Sequence, residues 1–571
     1  MKATMITIRI RRWLSLLFAC VLMLCVFAGC GTTSNGSGAE SKPNASAPET
    51  QQPTETDEPG TGVQETDTPS GEISFPLTEE ETTITGWVVC HPMVLNYIEN
   101  ISENSVIKYY AEMSNVIFDA EMISGAAQAE QFPVMIAGGE YCDIISNVHS
   151  LYGGGVAKAM EDGVIIDLAE YGLKENMPNY WRYMSDHGYT KWITDDEGRI
   201  GSLYIVEESD LTINGMVIRQ DYLDQVGKSV PTTYDELHDA LTAFQTELGT
   251  GAMWVNYLGN GVNNFLGNGF GINTYYYPED GFYPMYVENG TVHFSYLEEA
   301  YRDYLTMMNK WYKEGLIFDD FATDVGEIKI EYTDDSDKLY NGTLSTVSTG
   351  IAYLDTHISM LENGTLVPMA DVGNTAGETF HYTSQEQGAP QAKYTISTEC
   401  ENVELVMKYW DYFWTEEGAF LATWGLENEA FTYDEDGNPH YTDLVLKHEV
   451  GTRVSLGIYC LNDPPTLVLQ GRNDAGYTEA TLEAGRVWGS NQDGAGYYPT
   501  ACSLTTEESG DFNAKWNECA TYMCESIPRF IMGELNLDED FDAFVAQLKA
   551  LGAEECLKIK QASYDRYVNR A

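Results

Sequence analysis

A chain of 571 residues is longer than a single hydrophobic core usually holds, so two or more lobes are expected. Asp plus Glu number 88 against 31 Lys plus Arg, a net charge of -57; beyond the first thirty residues, 27 cations face 88 acids, a balance of -61. That largely excludes nucleic acid or an anionic lipid surface as the main partner, since both need clustered Lys and Arg, and the 43% hydrophobic content excludes a wholly disordered chain.

The first segment reads as an address. Lys2, Arg9, Arg11 and Arg12 precede a mostly apolar run from Trp13 to Gly29, which ends Val26-Phe27-Ala28-Gly29-Cys30. A basic start, an apolar stretch and small residues before a cut site describe an export signal. The Cys after Ala-Gly makes it resemble a bacterial lipoprotein signal, which implies lipidation of Cys30. Phe27 stands where that family usually has Leu. An uncleaved membrane anchor is the alternative, because the apolar run is near the lower limit for spanning. Both readings place the body on the extracellular face of the cytoplasmic membrane. Residues 1–29 are thus expected to be the signal. Residues 30–75, rich in Gly, Ser, Thr, Pro and Glu, are expected to be a disordered tether that spans roughly 35–40 Å.

From about Thr82 onward, short β-branched runs alternate with amphipathic helical patterns, which predicts an α/β fold with mostly parallel sheets. Ile84–Val89 reads as a first strand. Gln131–Ala137 reads as a helix end closed by Gly138-Gly139, and Asp143–Ser146 as a buried strand. Asp195–Gly198 and Asp434–Asn438 lack the spacing of a calcium-binding loop and read as hairpin turns. Thr233 with Glu236, and Ser295 with Glu298, form two capping boxes. The second opens a helix whose stripe of Tyr301, Tyr304, Leu305, Met308, Trp311 and Tyr312 reads as core, and Gly315 closes it. Eight cysteines remain after Cys20, Cys25 and Cys30. An even count outside the cell permits disulfides, but the density is too low for a disulfide-built scaffold. No metal-ligand spacing is present among the nine His, and no cofactor is expected.

Several segments, taken in order, carry a resemblance: Gln131–Ile145, Gly155–Leu168, Gly198–Tyr204, Asn214–Leu223, Pro231–Leu237, Lys313–Ile317, Tyr433–Pro439, Pro528–Glu534 and Ala562–Tyr567. Together they resemble the extracellular solute-binding lipoproteins of ABC importers, of the carbohydrate type and the long subgroup common in Gram-positive bacteria. The resemblance implies a two-lobed periplasmic-binding-protein-like fold, with a hinge, an interlobe ligand cleft and extra C-terminal helices. Lobe 1 would hold residues 76–206 and a return segment 366–420; lobe 2 would hold 207–365 and 421–571. Crossings are expected near Val206–Ser209 and Leu366–Asp371.

Sugar recognition needs planar polar groups for hydroxyl edges and aromatic rings for C–H faces. Carried over from the sugar-binding relatives, His91, Ser146, Asn147 and His149 follow lobe 1 strands, and Glu208 lies at the first crossing. Arg219 sits in the strand entering lobe 2, with a structural ion pair as its alternative role. Trp254, Asn256 and Tyr257 precede a Gly- and Asn-rich loop, and Thr349 ends a strand-like run. Trp424 is a second stacking candidate, with core packing as its alternative role. No acid pair is singled out as the two carboxylates of a glycosidase would require, so a binding protein and not an enzyme is expected. The expected partners are a small solute, a saccharide, and the permease subunits of an ABC transporter, bound by a monomer. A peptide or other small solute, a ligand sensor and a surface-tethered glycoside hydrolase are the alternatives. The acidic surface disfavours a free polyanion unless a local cluster of arginines overrides it.

Overall fold

The computed structural model describes residues 71–209, 211–255, 262–276, 283–322, 342–361, 363–382 and 388–570. The expected signal, Cys30 and nearly all of the tether lie outside the described residues, as do Asn256 and Tyr257. Among the described residues no helix is long and apolar enough to cross a membrane.

The strands, in chain order, are β1 Thr82–Cys90, β2 Val116–Ser124, β3 Ile144–Ser146, β4 Leu203–Glu207, β5 Asn214–Arg219, β6 Ala252–Met253, β7 Met285–Glu288, β8 Thr291–Phe294, β9 Leu344–Gly350, β10 Leu366–Met369, β11 Gln391–Ile396, β12 Phe431–Tyr433, β13 Pro439–Tyr441 and β14 Leu467–Val468. Lobe 1 is built on a six-stranded sheet of order β14-β4-β11-β3-β1-β2, and lobe 2 on a four-stranded sheet of order β10-β5-β9-β6. In the first sheet β1 runs parallel to β2 and β3, while β11 runs antiparallel to β3 and β4. β14 runs parallel to β4. Five strands therefore point one way, and β11 alone opposes them.

The burial pattern explains why β1 reads as a near-continuous apolar run. Ile84 and Val88 join the main core on one face, and Trp87 joins a second core with Ile123, Phe132 and Ile145 on the other. A strand covered on both faces needs apolar residues at successive positions. Gly86 is required because a Cβ there would lie 2.8 Å from the Ala120 Cβ. The helix Gly125–Gly138 then packs against this face and ends at Gly139, whose φ of +70° suits glycine.

The first crossing runs between Glu207 and Asn214, and β5 pairs antiparallel with both β9 and β10. β10 belongs to the second sheet, so the return to the first lies between Met369 and Gln391. The expected boundary at residue 420 is displaced. The chain stays with the first sheet as far as Val468, because β14 pairs with β4. A two-residue strand is too short for any periodicity to mark. Only then does the chain reach lobe 2, where the helix Glu479–Gly489 packs on β5 and β10.

The helix Tyr234–Ala243 begins at the expected cap, the Thr233 hydroxyl accepting from the Glu236 N–H at 3.2 Å, but the expected box is half formed because the Glu236 carboxylate accepts from the Thr232 N–H and hydroxyl at 2.8 Å. The box expected at Ser295 is not formed. Ser295 opens a 3-10 turn and its hydroxyl donates to the Asn273 carbonyl at 2.5 Å, so the helix starts at Glu299. Asp434–Asn438 is the expected turn between β12 and β13. Asp195–Gly198 is not a hairpin: it follows the helix Thr190–Ile193, and Asp196 receives Arg566 at 2.5 Å and Arg570 at 2.7 Å. These arginines end the last of three C-terminal helices (Thr506–Met532, Leu537–Leu551, Ala553–Val568), which pack on the helix Glu299–Lys313 and on β8. The C-terminal helices thus grip lobe 2 with their bodies and a lobe 1 turn with their last residues. All eight described cysteines are free thiols.

The entry of the chain into lobe 2 is fixed by Gly215. The Trp488 ring lies flat against it, and the Trp488 indole N–H donates to the Met216 carbonyl at 2.8 Å. A Cβ at Gly215 would stand 2.1 Å from that ring. Gly215→Ala is expected to destabilise the fold by about 1–3 kcal/mol, read from the urea midpoint followed by tryptophan fluorescence.

Candidate functional site

Parallel strands put the segments that follow them on one edge. On the first sheet this edge carries His91 after β1, Asn147 after β3, Glu208 after β4, and Lys393 near the start of β11, which runs the other way. Loop segments at the ends of such strands are where ligands of α/β proteins bind. A cavity of about 220 Å³ opens here, lined by Cys90, His91, Ser146, Asn147, Lys393, Arg453, Asn462 and Asp463 together with apolar groups.

Each polar group is oriented by a local bond. The Ser146 hydroxyl accepts from the Val89 N–H at 2.8 Å. Asn147 adopts a left-handed φ of +57°, its N–H donating to the Lys393 carbonyl at 3.0 Å and its amide to Gln128 at 3.2 Å. His91 Nδ1 accepts from the Met93 N–H at 3.3 Å, which places the proton of the neutral ring on Nε2. Lys393 lies 3.8 Å from Asp463. Burial, aided by the Asp463 charge, pushes the Cys90 thiol up to about 12, so it is protonated and unreactive at neutral pH.

The sequence candidates divide. His91, Ser146 and Asn147 line one cavity. His149 lies on the short helix Val148–Leu151, exposed and outside the cavity wall. Glu208 holds the same sheet edge through its N–H to the Val468 carbonyl at 2.9 Å, and its carboxylate accepts from the Tyr183 hydroxyl at 3.3 Å. Thr349 is nearly buried opposite Gly215, where β9 meets the crossing.

Three candidates are corrected. Arg219 ends β5 at the edge remote from the crossing; its guanidinium pairs with both oxygens of Asp221 at 2.8 and 2.7 Å and lies over the Tyr222 ring. The structural ion pair is therefore its role. Trp254 is 1% exposed in a core with Val217, Leu344, Val347 and Trp488, so no solute face reaches it. Trp424 packs against Phe420, Phe431 and Tyr441 in a separate small core. Both tryptophans were placed by proximity to glycine-containing loops, a signal that does not distinguish a ring under a loop from one on it.

Sequence reasoning missed Lys393, Arg453, Asn462, Asp463 and Tyr183. Arg453 lies in the first turn of the helix Thr452–Tyr459 and Asp463 follows that helix, both far in sequence from the strands they join. Tyr183 stacks on His187 at 4.0 Å beside Glu208, and their i, i+4 spacing was the available signal.

No family model matches the chain. It is 24% identical over 449 residues to lipoprotein LipO of Bacillus subtilis, covering 75% of this chain and 82% of that one. It is 25% identical over 153 residues to the polygalacturonan/rhamnogalacturonan-binding protein YtcQ of the same organism, 27% of this chain and 29% of that one. Among solved structures, an HMO-binding solute-binding protein associated with an ABC transporter of Bifidobacterium longum infantis superimposes with a TM-score of 0.70 at 20% identity, over 86% of this chain and all of that one. The fold is that of the ABC-transporter solute-binding proteins.

In the lobe 2 half of this fold, Asp371 follows β10 at the crossing edge. Burial pushes its carboxyl up to about 7, against hydrogen bonds from the Asn268 and Gln492 amides. The unfolded carboxyl titrates near 3.9. Between about pH 4 and pH 7 the folded chain therefore holds a proton that the unfolded chain has lost, and this group's contribution makes stability fall as pH rises through that window. Asp371→Asn is expected to remove that fall, which urea midpoints at pH 4, 5.5 and 7 would show. Trp254→Ala is expected to cost about 3–5 kcal/mol of stability, as for a core aromatic, measured by the same denaturation.

Proposed function

We propose that the chain is an extracytoplasmic solute-binding lipoprotein, held to the membrane through a lipid on Cys30, that captures a sugar or oligosaccharide and delivers it to an ABC permease. The observation that carries this reading is the polar cavity at the strand edge of lobe 1, beside the crossings that join the two lobes. Its hydroxyl, amide and imidazole groups match the hydroxyl edge of a sugar. The volume of about 220 Å³ is below the roughly 300–1,000 Å³ of complete small-molecule sites, which suits half a site completed by the opposite lobe.

On this reading the solute bridges the lobes and favours the closed arrangement by its differential affinity for it. Thr349 would meet the solute from lobe 2, and Glu208 from the crossing. The tyrosine hydroxyl held by Glu208 leaves the carboxylate's second oxygen as an acceptor for a sugar hydroxyl. The polygalacturonan/rhamnogalacturonan bound by YtcQ and the HMO bound by the Bifidobacterium protein support a saccharide as the solute class. The body acts as a monomer, binds without turning over its solute, and uses a separate permease.

A thermal-shift screen of the full chain in detergent tests this against oligosaccharides and peptides. A saccharide at 100 times its dissociation constant is expected to add about 2.7 kcal/mol of stability. A shift with peptides and none with any saccharide would overturn the reading.

A further inference from the structure

The cavity in lobe 1 has the opposite charge balance to the body that contains it. Beyond the first thirty residues acids outnumber cations 88 to 27. Along the cavity wall two cations, Lys393 and Arg453, meet one acid, Asp463. In so acidic a chain most cations are taken by carboxylates, and these two are compensated weakly. Lys393 stands 3.8 Å from Asp463, at the limit of an ion pair, with a quarter of its side chain exposed. Arg453 lies beside the Tyr477 phenol, a neutral group that leaves its charge in place. It sits in the first turn of the helix Thr452–Tyr459, a turn that contains no acid.

A neutral sugar gains little from this arrangement, since amides and carboxylates serve hydroxyls as well and attract no competing anions. A ring carboxylate gains a great deal. The guanidinium presents two parallel N–H groups to a carboxylate, and the ammonium adds a second charge. Asn462 offers its amide hydrogens because its carbonyl oxygen is occupied by Arg472. Two cations and one acid leave a net charge of +1, which matches the single negative charge of a uronate better than the double charge of a phosphate monoester.

We infer that the solute is an acidic saccharide, an oligosaccharide containing uronate residues, with one ring carboxylate seated between Arg453 and Lys393. The inference rests on the solute-binding reading above and specifies its substrate class.

Calorimetric titration of the full chain tests it with three probes: tri-galacturonate, the same trisaccharide with its carboxylates methyl-esterified, and neutral galactotriose. Tri-galacturonate is expected to bind at least about tenfold more tightly than the ester, the preference that charge-assisted hydrogen bonds supply. Arg453→Gln and Lys393→Gln are each expected to bring the ratio of the two affinities close to one. Asp463→Asn is expected to raise it, a gain that a merely structural role would not produce. Equal binding of acid and ester, or a ratio that survives both Arg453→Gln and Lys393→Gln, overturns the assignment. If galactotriose binds and tri-galacturonate does not, the acidic class is wrong and the saccharide reading stands. If none of the three binds, the acidic class falls; if in addition a peptide stabilises the chain while no saccharide does, the reading beneath it falls as well.

Discussion

The common direction of β1, β3 and β4, set by the parallel pairing of β1 with β3 and by β11 running antiparallel to both β3 and β4, is the constraint on which the site depends. Because these strands run the same way, His91, Asn147 and Glu208 leave the first sheet on one edge although they are separated by more than fifty residues each. β11 enters that edge from the opposite direction and supplies Lys393. The same rule works in the second sheet, where β6, β9 and β10 end where β5 begins, so Trp254, Thr349 and Asp371 gather near the crossing. Arg219 lies at the other end of β5, and its exclusion from the site follows from strand direction alone.

The crossings are held in place by packing. Trp488 lies on Gly215 at the entry to lobe 2, and Glu208 bonds β14 at the exit from lobe 1. The arginines of the last helix fasten Asp196. The Arg566 pair is partly exposed and individually weak, whereas Arg570, just past the helix end, is nearly buried and also donates to the Lys191, Thr194 and Ala501 carbonyls; both follow a helix whose body is packed against lobe 2. They therefore set where the C-terminal helices meet lobe 1, while the hydrophobic contacts supply most of the stability.

The charge of the chain acquires two scales. At long range the body is strongly acidic and keeps itself solvated and apart from other acidic surfaces. Within the cavity the balance reverses, and short-range pairing there is screened much less than the field of the whole surface. An acidic protein with a locally cationic site excludes polyanions from its surface at large while remaining able to hold one carboxylate.

Much of this was legible in the sequence. The α/β alternation, the helix begun by Thr233 and the strands that end before His91 and Asn147 follow from local patterns, because periodicity and capping are properties of neighbouring residues. The order of the short segments made the two-lobed fold recognisable. Tertiary structure decided the rest. The two-residue strand β14 carries no periodicity, so the third crossing was misplaced. Trp254 and Trp424 read as exposed rings beside loops until packing showed what covers them. Arg453 and Asp463 enter the site from a helix and a loop some three hundred residues after Asn147, and no local rule joins residues that far apart. Sequence fixes which groups a strand end can offer, since side-chain direction follows from the chain itself. Which of them share a cavity depends on contacts between distant segments, and those exist only once the sheets have formed and packed.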